Sequence, residues 1–308
     1  MAKNNKWTIA LAFTAIYIVW GSTYLGILFG LRGFPPFMLA TFRFIVAGIG
    51  LTIWRLSKGE VKPDWQSIQR NSVTGTLLLV GGVVSVTWAE QYLASSVAAI
   101  IVSALPFWFV VLDKSQWSYY FSNKSILAGL IVGFMGVIVL VSEGHIATSS
   151  AGDSIQKTLS PFIILIGGVA WASGSLFSRY KPTKNSTIMN AGIQFLIAGT
   201  ITLIISLASG EWNGFHFAQV STEAWVALAY LIVMGSLVTY LAYLWLLKVR
   251  PPAQVSTYVY VNPVVALFLG IVMARESISW MQTLALAIIL CGVLMVNLPK
   301  YKKTQAAL

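Results

Sequence analysis

The sequence predicts an all-α polytopic membrane protein with ten transmembrane helices. Three observations lead to this prediction: an apolar composition, ten long apolar stretches, and basic residues that cluster in alternate loops. Of the 308 residues, 57% are hydrophobic and 9% are charged, whereas soluble domains carry roughly 25% charged residues. So little charge cannot cover a water-facing surface, and the helices must therefore face lipid.

The ten predicted spans are stretches of the length that an apolar helix needs to cross the hydrocarbon core. Because lipid offers the backbone no hydrogen bonds, continuous apolar runs predict helices. The first run follows the basic segment "MAKNNKW" and has no small-residue cleavage site, so we interpret it as an uncleaved span. The spans cover about residues 8–30, 37–56, 70–93, 96–115, 125–142, 161–180, 187–209, 222–247, 252–273 and 280–298.

The basic residues predict the orientation of these spans. With both termini in the cytoplasm, 16 of the 20 basic residues fall in cytoplasmic segments, as the positive-inside rule expects. The orientation of the protein in the membrane then explains the formal charge of +11, and no nucleic-acid partner is needed to account for it. The cytoplasmic set is Lys3, Lys6, Arg55, Lys58, Lys62, Arg70, Lys114, Lys124, Arg179, Lys181, Lys184, Lys248, Arg250, Lys300, Lys302 and Lys303.

An internal duplication emerges when the chain is compared with itself. Shifts of 151, 157 and 156 residues align similar residues in the two halves in the same order. Because each half holds five spans, the second half enters from the opposite face, which predicts a 5+5 inverted repeat with a site between the halves. The aligned pairs are Trp20 with Trp171, Phe44 with Phe195, Ala47 with Ala198, Gly48 with Gly199, Trp88 with Trp245, Pro106 with Pro263, and Gly136 with Gly292.

The two predicted repeats divide the chain near its middle. Residues 1–150 contain the first repeat, with spans over about 8–142. Residues 151–308 contain the second, with spans over about 161–298 and a short basic tail. The polar segment at 142–160 is the natural junction.

Three segments resemble the EamA-type permeases of the drug/metabolite transporter superfamily: "IVWGSTYLGI", "SVAAIIVSALPFWFVVLD" and "STYVYVNPVVALFLGIVMARESIS". The resemblance extends over about residues 8–298. It implies ten spans, cytoplasmic termini, a central cavity, export or exchange of small metabolites, and a bacterial cytoplasmic (inner) membrane. One departure is that Glu276 follows the second proline-bearing span, whereas the first is followed by "DKSQWSYYF" without that acid.

Pro106 and Pro263 lie within the fourth and ninth spans. Proline removes one helical hydrogen bond, and would here free the carbonyls of Val102 and Val259. We predict a paired hinge beside a cavity. A simple kink repaired by neighbouring groups is the alternative.

Deep polar and aromatic side chains predict the cavity itself. Indole N–H groups and a midplane amide need partners or a wet cavity, and together they suit amphipathic solutes. The alternatives are packing between helices for each tryptophan, and capping of freed carbonyls for Asn262. The candidate substrate-binding residues are Trp20, Ser22, Trp88, Gln91, Trp108, Trp171, Ser175, Tyr258 and Asn262.

Arg43 and Glu90 are charges placed toward the outer side of the second and third spans. Intramembrane charge is a hypothesis of function by default. Two structural interpretations are an Arg43–Glu90 ion pair and snorkelling of Arg43 to the headgroups. The functional one is a contact of Arg43 with a substrate carboxylate. For energy coupling, either Glu90 alone carries protons, or transport is exchange or facilitated diffusion.

Other classes of function lack their chemistry in this sequence. No predicted span contains a histidine, and Cys291 has no partner in sequence, so we expect no metal site, no cofactor and no enzyme. An ion channel would need a selectivity filter, which is not visible. We predict a secondary transporter of small amphipathic metabolites: amino acids, related compounds or drugs. The motifs "GILFG" and "GLIVG" suggest close helix packing within a monomer, with a homodimer as the alternative.

Overall fold

The computed structural model describes residues 6–142, 154–250, 255 and 258–305. The regular elements among these residues are helical. Most of the predicted junction, together with Lys3 and the end of the basic tail, lies outside the described residues. The long helical segments are α1 (Lys6–Leu31), α2 (Pro36–Ser57), α3 (Trp65–Ala89), α4 (Ser95–Leu112), α5 (Lys124–Ser142), α6 (Ser154–Tyr180), α7 (Thr187–Ala208), α8 (Thr222–Val249), α9 (Tyr258–Ala274) and α10 (Trp280–Gln305).

In the described part of the chain, each stretch that the sequence predicts as a span contains helix. Among the described residues, seven are long and apolar enough to cross a membrane by themselves, namely α1 to α4 and α6 to α8. The α5 helix meets the preceding helix, Lys114–Phe121, at an angle of 102°, and this bent pair would make an eighth span. The α9 and α10 helices contain shorter apolar segments, Val261–Ala274 and Trp280–Val296. Length and composition alone thus support seven or eight spans.

Several long helices depart from regular α geometry. Wide π-helical segments interrupt α1 at Ala15–Val19, α3 at Thr76–Val84 and α8 at Leu231–Tyr240. The α4 helix breaks into Ser95–Val102 and Leu105–Leu112. Such departures leave backbone carbonyls without their usual helical partners, and they are frequent at functional sites.

The α2 and α7 helices pack against each other along their length. A Cβ atom added to Gly48 would lie 2.8 Å from the backbone nitrogen of Leu196. One added to Gly199 would lie 2.8 Å from Cδ1 of Ile45. Glycine thus lets the two backbones approach closely. The two contacts are equivalent in the two halves, because a shift of 151 residues turns Ile45 and Gly48 into Leu196 and Gly199.

The same reciprocity recurs between α5 and α10. A Cβ on Gly136 would lie 2.8 Å from Cγ1 of Ile289, and one on Gly292 would lie 2.4 Å from the backbone of Gly133. These contacts exchange under the shift of 156 residues. The glycines of "GLIVG" therefore serve a contact inside the molecule.

Two carboxylates bind the helix N-termini of the α2–α7 pair. Glu60 accepts hydrogen bonds from the backbone N–H and the hydroxyl of Ser186, both at 2.7 Å, where α7 begins. Glu211 accepts from the backbone N–H groups of Phe37 and Met38, at 3.1 and 2.8 Å, where α2 begins. The N–H groups of a first helical turn lack intrahelical partners, and the helix dipole favours negative charge there. We call Glu60 and Glu211, which lie 151 residues apart, the carboxylate clasps.

Candidate functional site

A cavity of about 80 Å³ lies among α1, α2, α3, α4, α6 and α9, and we call it the central cavity. Five of the residues predicted from the sequence line it: Trp20, Arg43, Trp171, Tyr258 and Asn262. The other lining residues are Thr23, Tyr24, Ile27, Gly82, Val83, Val86, Val102, Leu105, Ile164, Gly167 and Gly168.

Four aromatic side chains meet at one side of the central cavity. The Trp20 ring centroid lies 5.3 Å from that of Trp171 and 5.2 Å from those of both Tyr243 and Tyr258. Trp171 and Tyr243 are 5.4 Å apart. These tilted and edge-to-face contacts are favourable beyond the area that they bury. We call the four residues the aromatic layer.

Asn262 joins α9 to the π-helical segment of α1. With its amide nitrogen turned toward α1, it donates to the carbonyls of Ile16 at 2.9 Å, Tyr17 at 2.8 Å and Tyr258 at 3.2 Å. The first two belong to the π segment, where helical hydrogen bonding is irregular. Asn262 thus holds the carbonyls of α1 and of Tyr258, whereas its structural alternative named the proline-freed carbonyls of Val102 and Val259. Asn262 also lines the central cavity.

Arg43 is a buried cation in the cavity wall, with 5% of its surface exposed. Its Nε donates to the Ser236 hydroxyl at 2.9 Å. Its guanidinium fits beside Gly235, where an added Cβ would come within 2.8 Å of Nη2. Burial excludes snorkelling to the surface.

The Arg43–Glu90 ion pair is not found. The ion pairs among the described residues join Arg32 to Glu223 and Arg55 to Glu60. Glu90 follows the last residue of α3 and is 3% exposed, and neither carboxylate oxygen has a hydrogen-bond partner there. Arg43 consequently faces the cavity without a carboxylate partner among the described residues.

Glu276 has a different environment from Glu90. Its carboxylate accepts from the backbone N–H and hydroxyl of Ser95, at 2.8 and 2.7 Å. It also accepts from the N–H and hydroxyl of Ser96, at 3.2 and 2.6 Å. Glu276 therefore caps the start of α4 and ties it to the chain that follows α9.

Two predicted site residues support the cavity wall without lining it. The Ser22 hydroxyl donates to the carbonyl of Val19 at 2.7 Å and contacts the Tyr230 hydroxyl. The Ser175 hydroxyl donates to the carbonyl of Trp171 at 2.8 Å and lies 2.9 Å from the Tyr243 hydroxyl. Both hydroxyls are thereby engaged in fixing helix contacts.

Three further predicted residues lie away from the central cavity. Trp88 packs against Tyr92 at 5.0 Å, and Gln91 donates to the carbonyl of Trp88 at 3.0 Å. Trp108 covers Gly168 and lines a separate apolar groove formed with α5. Val102 lines the central cavity, but the break in α4 lies between Val102 and Trp108. Regular helix periodicity therefore cannot predict the direction of one side chain from that of the other.

The two prolines occupy different positions in their helices. Pro106 lies in the first turn of Leu105–Leu112, where its missing N–H needs no helical partner. Pro263 lies inside α9, directly after Asn262. The α4 chain is thus broken before its proline, whereas α9 continues through its own.

Three further α1 residues line the cavity although they were not predicted from the sequence. Thr23, Tyr24 and Ile27 line it together with Trp20. Their spacing of three, four and seven residues places them on one helix face. That periodicity was available from the sequence once Trp20 had been placed in the site.

Apolar helices around a central cavity are typical of membrane transporters. The chain belongs to the EamA-like transporter family, whose model matches residues 6–142 and again residues 158–298. It is therefore a membrane transporter and not an enzyme.

Individual proteins agree with this assignment. The chain is 35% identical over 291 residues to "Uncharacterized inner membrane transporter YedA" of Escherichia coli (strain K12), covering 94% of this chain and 90% of that protein. It is 24% identical to "WAT1-related protein At3g02690, chloroplastic" of Arabidopsis thaliana, covering 96% and 70%. A solved crystal structure matches with a TM-score of 0.64 at 18% identity, over 96% of this chain and 98% of that chain, which shows the fold.

Proposed function

We propose that the chain is a secondary transporter that moves small amphipathic metabolites across the cytoplasmic membrane by alternating access. Amino acids, related compounds and drugs fit this class, and the protein would act as an exporter, exchanger or facilitator. One observation carries the proposal: a single cavity joins the aromatic side chains of Trp20, Trp171 and Tyr258 to the guanidinium of Arg43. Aromatic walls bind the apolar part of a solute, and Arg43 binds its carboxylate.

Alternating access rests on an inverted repeat of five plus five spans. Helix contacts support this arrangement, because α2, α4 and α5 each pack on their equivalents α7, α9 and α10. Other contacts exchange between the halves: α1 packs on α8 and α9, and α6 packs on α3 and α4. The family model also matches each half separately. A pseudo-twofold axis between the halves accounts for all of these relations.

The cavity opens and closes, in this proposal, through movements of α4 and α9. The break before Pro106 and the proline at position 263 lie beside the cavity residues Leu105 and Asn262. Segments beside such breaks can pivot because they lack a continuous hydrogen-bond ladder. The paired hinge predicted from the sequence thus remains a proposal, in which α4 is already broken and α9 is kinked.

The proposed orientation places both termini in the cytoplasm. The distribution of basic residues supports it, and a relative is named as an inner membrane transporter. In this orientation the central cavity lies toward the outer face, because its arginine follows the outer end of α2.

The test is solute flux in liposomes that contain the purified protein. We expect saturable and competable uptake of aromatic amino acids, and weaker uptake of their decarboxylated amines. Arg43→Gln should reduce this preference for carboxylates about tenfold or more, since a lost charged hydrogen bond costs about 1.5–3 kcal/mol. Arg32→Gln, which removes a cation of an exposed ion pair, is the matched control.

Two results would reject the proposal. Ionic currents at channel rates would indicate a pore in place of a carrier. An unchanged solute preference in Arg43→Gln, at normal expression, would remove Arg43 from the site.

A further inference from the structure

A second cavity, of about 650 Å³, lies at the opposite end of the helix bundle from Arg43. It is bounded by the N-terminal halves of α3 and α7 and by the C-terminal ends of α6 and α8. Five cationic side chains line it: Arg70, Arg179, Lys181, Lys248 and Arg250. We call it the basic vestibule.

The cations of the basic vestibule lack carboxylate partners in the described part of the chain. No aspartate or glutamate lines the cavity, and the ion pairs described above involve none of the five. The charge of Asp64 interacts with that of Arg70. The Asp64 carboxylate, however, accepts a hydrogen bond from the Ser67 N–H at 2.8 Å and thereby caps the start of α3. Arg70 itself donates to the carbonyl of Pro182. Like charges that converge in a concavity repel one another, and a bound anion relieves that repulsion.

The neutral floor of the vestibule is already satisfied by internal hydrogen bonds. Asn71 donates to the Asn190 side-chain oxygen at 2.9 Å, and Gln194 donates to Asn71 at 2.7 Å. The Tyr240 hydroxyl donates to Gln194. These groups need no ligand, so a ligand would be recognised by the charged rim.

Membrane topology alone does not explain this convergence. The positive-inside rule accounts for basic residues in the loops of one face. It does not require them to share a cavity, and Lys58, Lys62 and Lys184 lie at the same end without lining it. Three different helices, α3, α6 and α8, supply the five cations to one concave surface, which is the arrangement of an anion site.

We propose that the basic vestibule binds an anionic phosphate or carboxylate group. Guanidinium groups recognise both through paired hydrogen bonds, and ammonium groups add compact charge. The group belongs either to a soluble metabolite or to an anionic lipid headgroup, since the chemistry is shared.

The first experiment uses inorganic pyrophosphate and citrate with the full chain in a neutral detergent. Binding is measured as the rise in unfolding temperature against sodium chloride of equal ionic strength. The variant Lys181→Gln/Lys248→Gln/Arg250→Gln removes three rim cations and leaves Arg70 bonded to Pro182. The matched control, Lys58→Gln/Lys62→Gln/Lys184→Gln, removes three cations from the same end outside the vestibule.

We expect saturable stabilisation of the wild type and the control by at least one of the two anions. The rim variant should bind about tenfold more weakly, because each partly exposed cation contributes a modest amount. Normal gel filtration of each variant would show that folding is intact.

A second experiment distinguishes the sources of the anionic group. Native mass spectrometry measures retention of phosphatidylglycerol by the same three proteins. Retention that is lost in the rim variant and displaced by pyrophosphate assigns the site to a lipid headgroup. Anion binding without retained lipid assigns it to a soluble ligand.

The proposal is overturned if the wild type gains no stability beyond the chloride control and retains no anionic lipid. It is also overturned if the rim variant and the control respond alike. Because these measurements require no transport, their failure would leave the function proposed for the central cavity untouched.

Discussion

Trp20 and Trp171 meet edge to face, with ring centroids 5.3 Å apart, although 151 residues separate them in the chain. Each is the equivalent of the other in the two predicted repeats. Their contact therefore lies where a pseudo-twofold axis would pass. Tyr243 extends the aromatic layer toward the basic vestibule, since its neighbour Leu244 lines that second cavity. Three members of the aromatic layer thus line the central cavity, and the fourth lies next to a residue of the basic vestibule.

Substitution of Trp171 tests whether the aromatic layer takes part in transport. Trp171→Ala should reduce solute flux at least about tenfold with normal expression, since a buried aromatic contact is worth about 1 kcal/mol beyond its area and the cavity wall is lost as well. Liposome uptake normalised to reconstituted protein is the measurement. Trp280→Ala, at an exposed tryptophan at the start of α10, serves as the control. Equal losses of expression and flux would favour a packing role for Trp171.

The stability of the protein should depend more on the hydrogen-bond donor of Asn262 than on the size of its side chain. Asn262→Asp replaces an N–H donor by an acceptor opposite the carbonyls of Ile16 and Tyr17, so it should destabilise more than Asn262→Ala. The expected loss is about 1–3 kcal/mol or more, the cost of unsatisfied buried polar groups. Thermal unfolding in detergent measures it, with Asn213→Asp in an exposed turn as the control. Equal stability of Asn262→Asp and the wild type would contradict this hydrogen bonding.

Gly48 and Gly50 offer a matched pair on one helix. A methyl group on Gly48 would meet the Leu196 backbone, whereas one on Gly50 would meet nothing within 4 Å. Gly48→Ala should lower stability by about 1–3 kcal/mol through overpacking. Gly50→Ala should be neutral or stabilising by up to about 1 kcal/mol, because alanine favours helix. If both variants unfold at the same temperature, α2 and α7 do not pack as described.

The Glu60 clasp predicts a dependence of stability on pH. Burial alone would raise the pKa of Glu60, but hydrogen bonds from Ser186 and Arg55, with the charge of Arg55, bring the pKa below its ordinary value of 4.5. A lowered pKa stabilises the fold above the ordinary value, and this contribution is lost as the pH falls through the folded-state pKa. As the pH falls from 7 to about 3, the wild type should therefore lose more stability than Glu60→Gln, with most of the loss below the ordinary pKa of 4.5.

The pH comparison needs a carboxylate with little structural role as its control. Glu223→Gln, in an ion pair about half exposed on both sides, should follow the wild type across the pH range. If the stability of the wild type and that of Glu60→Gln change with pH in parallel, the Glu60 carboxylate does not stabilise the start of α7 as described.

Replacement by leucine should change the stability of the protein in opposite directions at Glu90 and at Glu276. Glu90→Leu removes a buried carboxylate without hydrogen-bond partners, so it should leave stability unchanged or raise it by about 1–3 kcal/mol. Glu276→Leu removes four accepted hydrogen bonds at the start of α4 and should destabilise. Unfolding temperatures of the two variants in the same detergent decide the matter. A marked loss in Glu90→Leu would show that the carboxylate has a partner in the folded protein.

Much of the helical framework could be predicted from the sequence, since lipid requires long apolar helices and leaves few alternatives. Helices such as α2 and α7 begin and end close to the predicted limits. Pro106 predicted an interruption of α4, and the break lies just before it, between Val102 and Leu105. The π-helical segments were not predictable. They depend on contacts between helices, such as that of Asn262 with Ile16 and Tyr17, which leave no local pattern.

The site was predicted in part, for a related reason. Sequence position gives the depth of a residue along a span, and this placed Trp20, Trp171 and Asn262 at similar levels. It does not give the direction in which a side chain points around the bundle, which helix packing decides. Arg43 and Glu90 share an approximate depth and yet do not meet, and Trp108 faces a different groove.

The carboxylate clasps lie at opposite ends of an antiparallel helix pair, each long enough to cross a membrane. In a cell, the two clasps would therefore face two separate solutions. Acidification of the compartment at the Glu60 end would weaken the clasp there, because the lowered pKa of Glu60 links it to pH. The stability of this end of the helix pair would thus depend on the pH of one particular compartment.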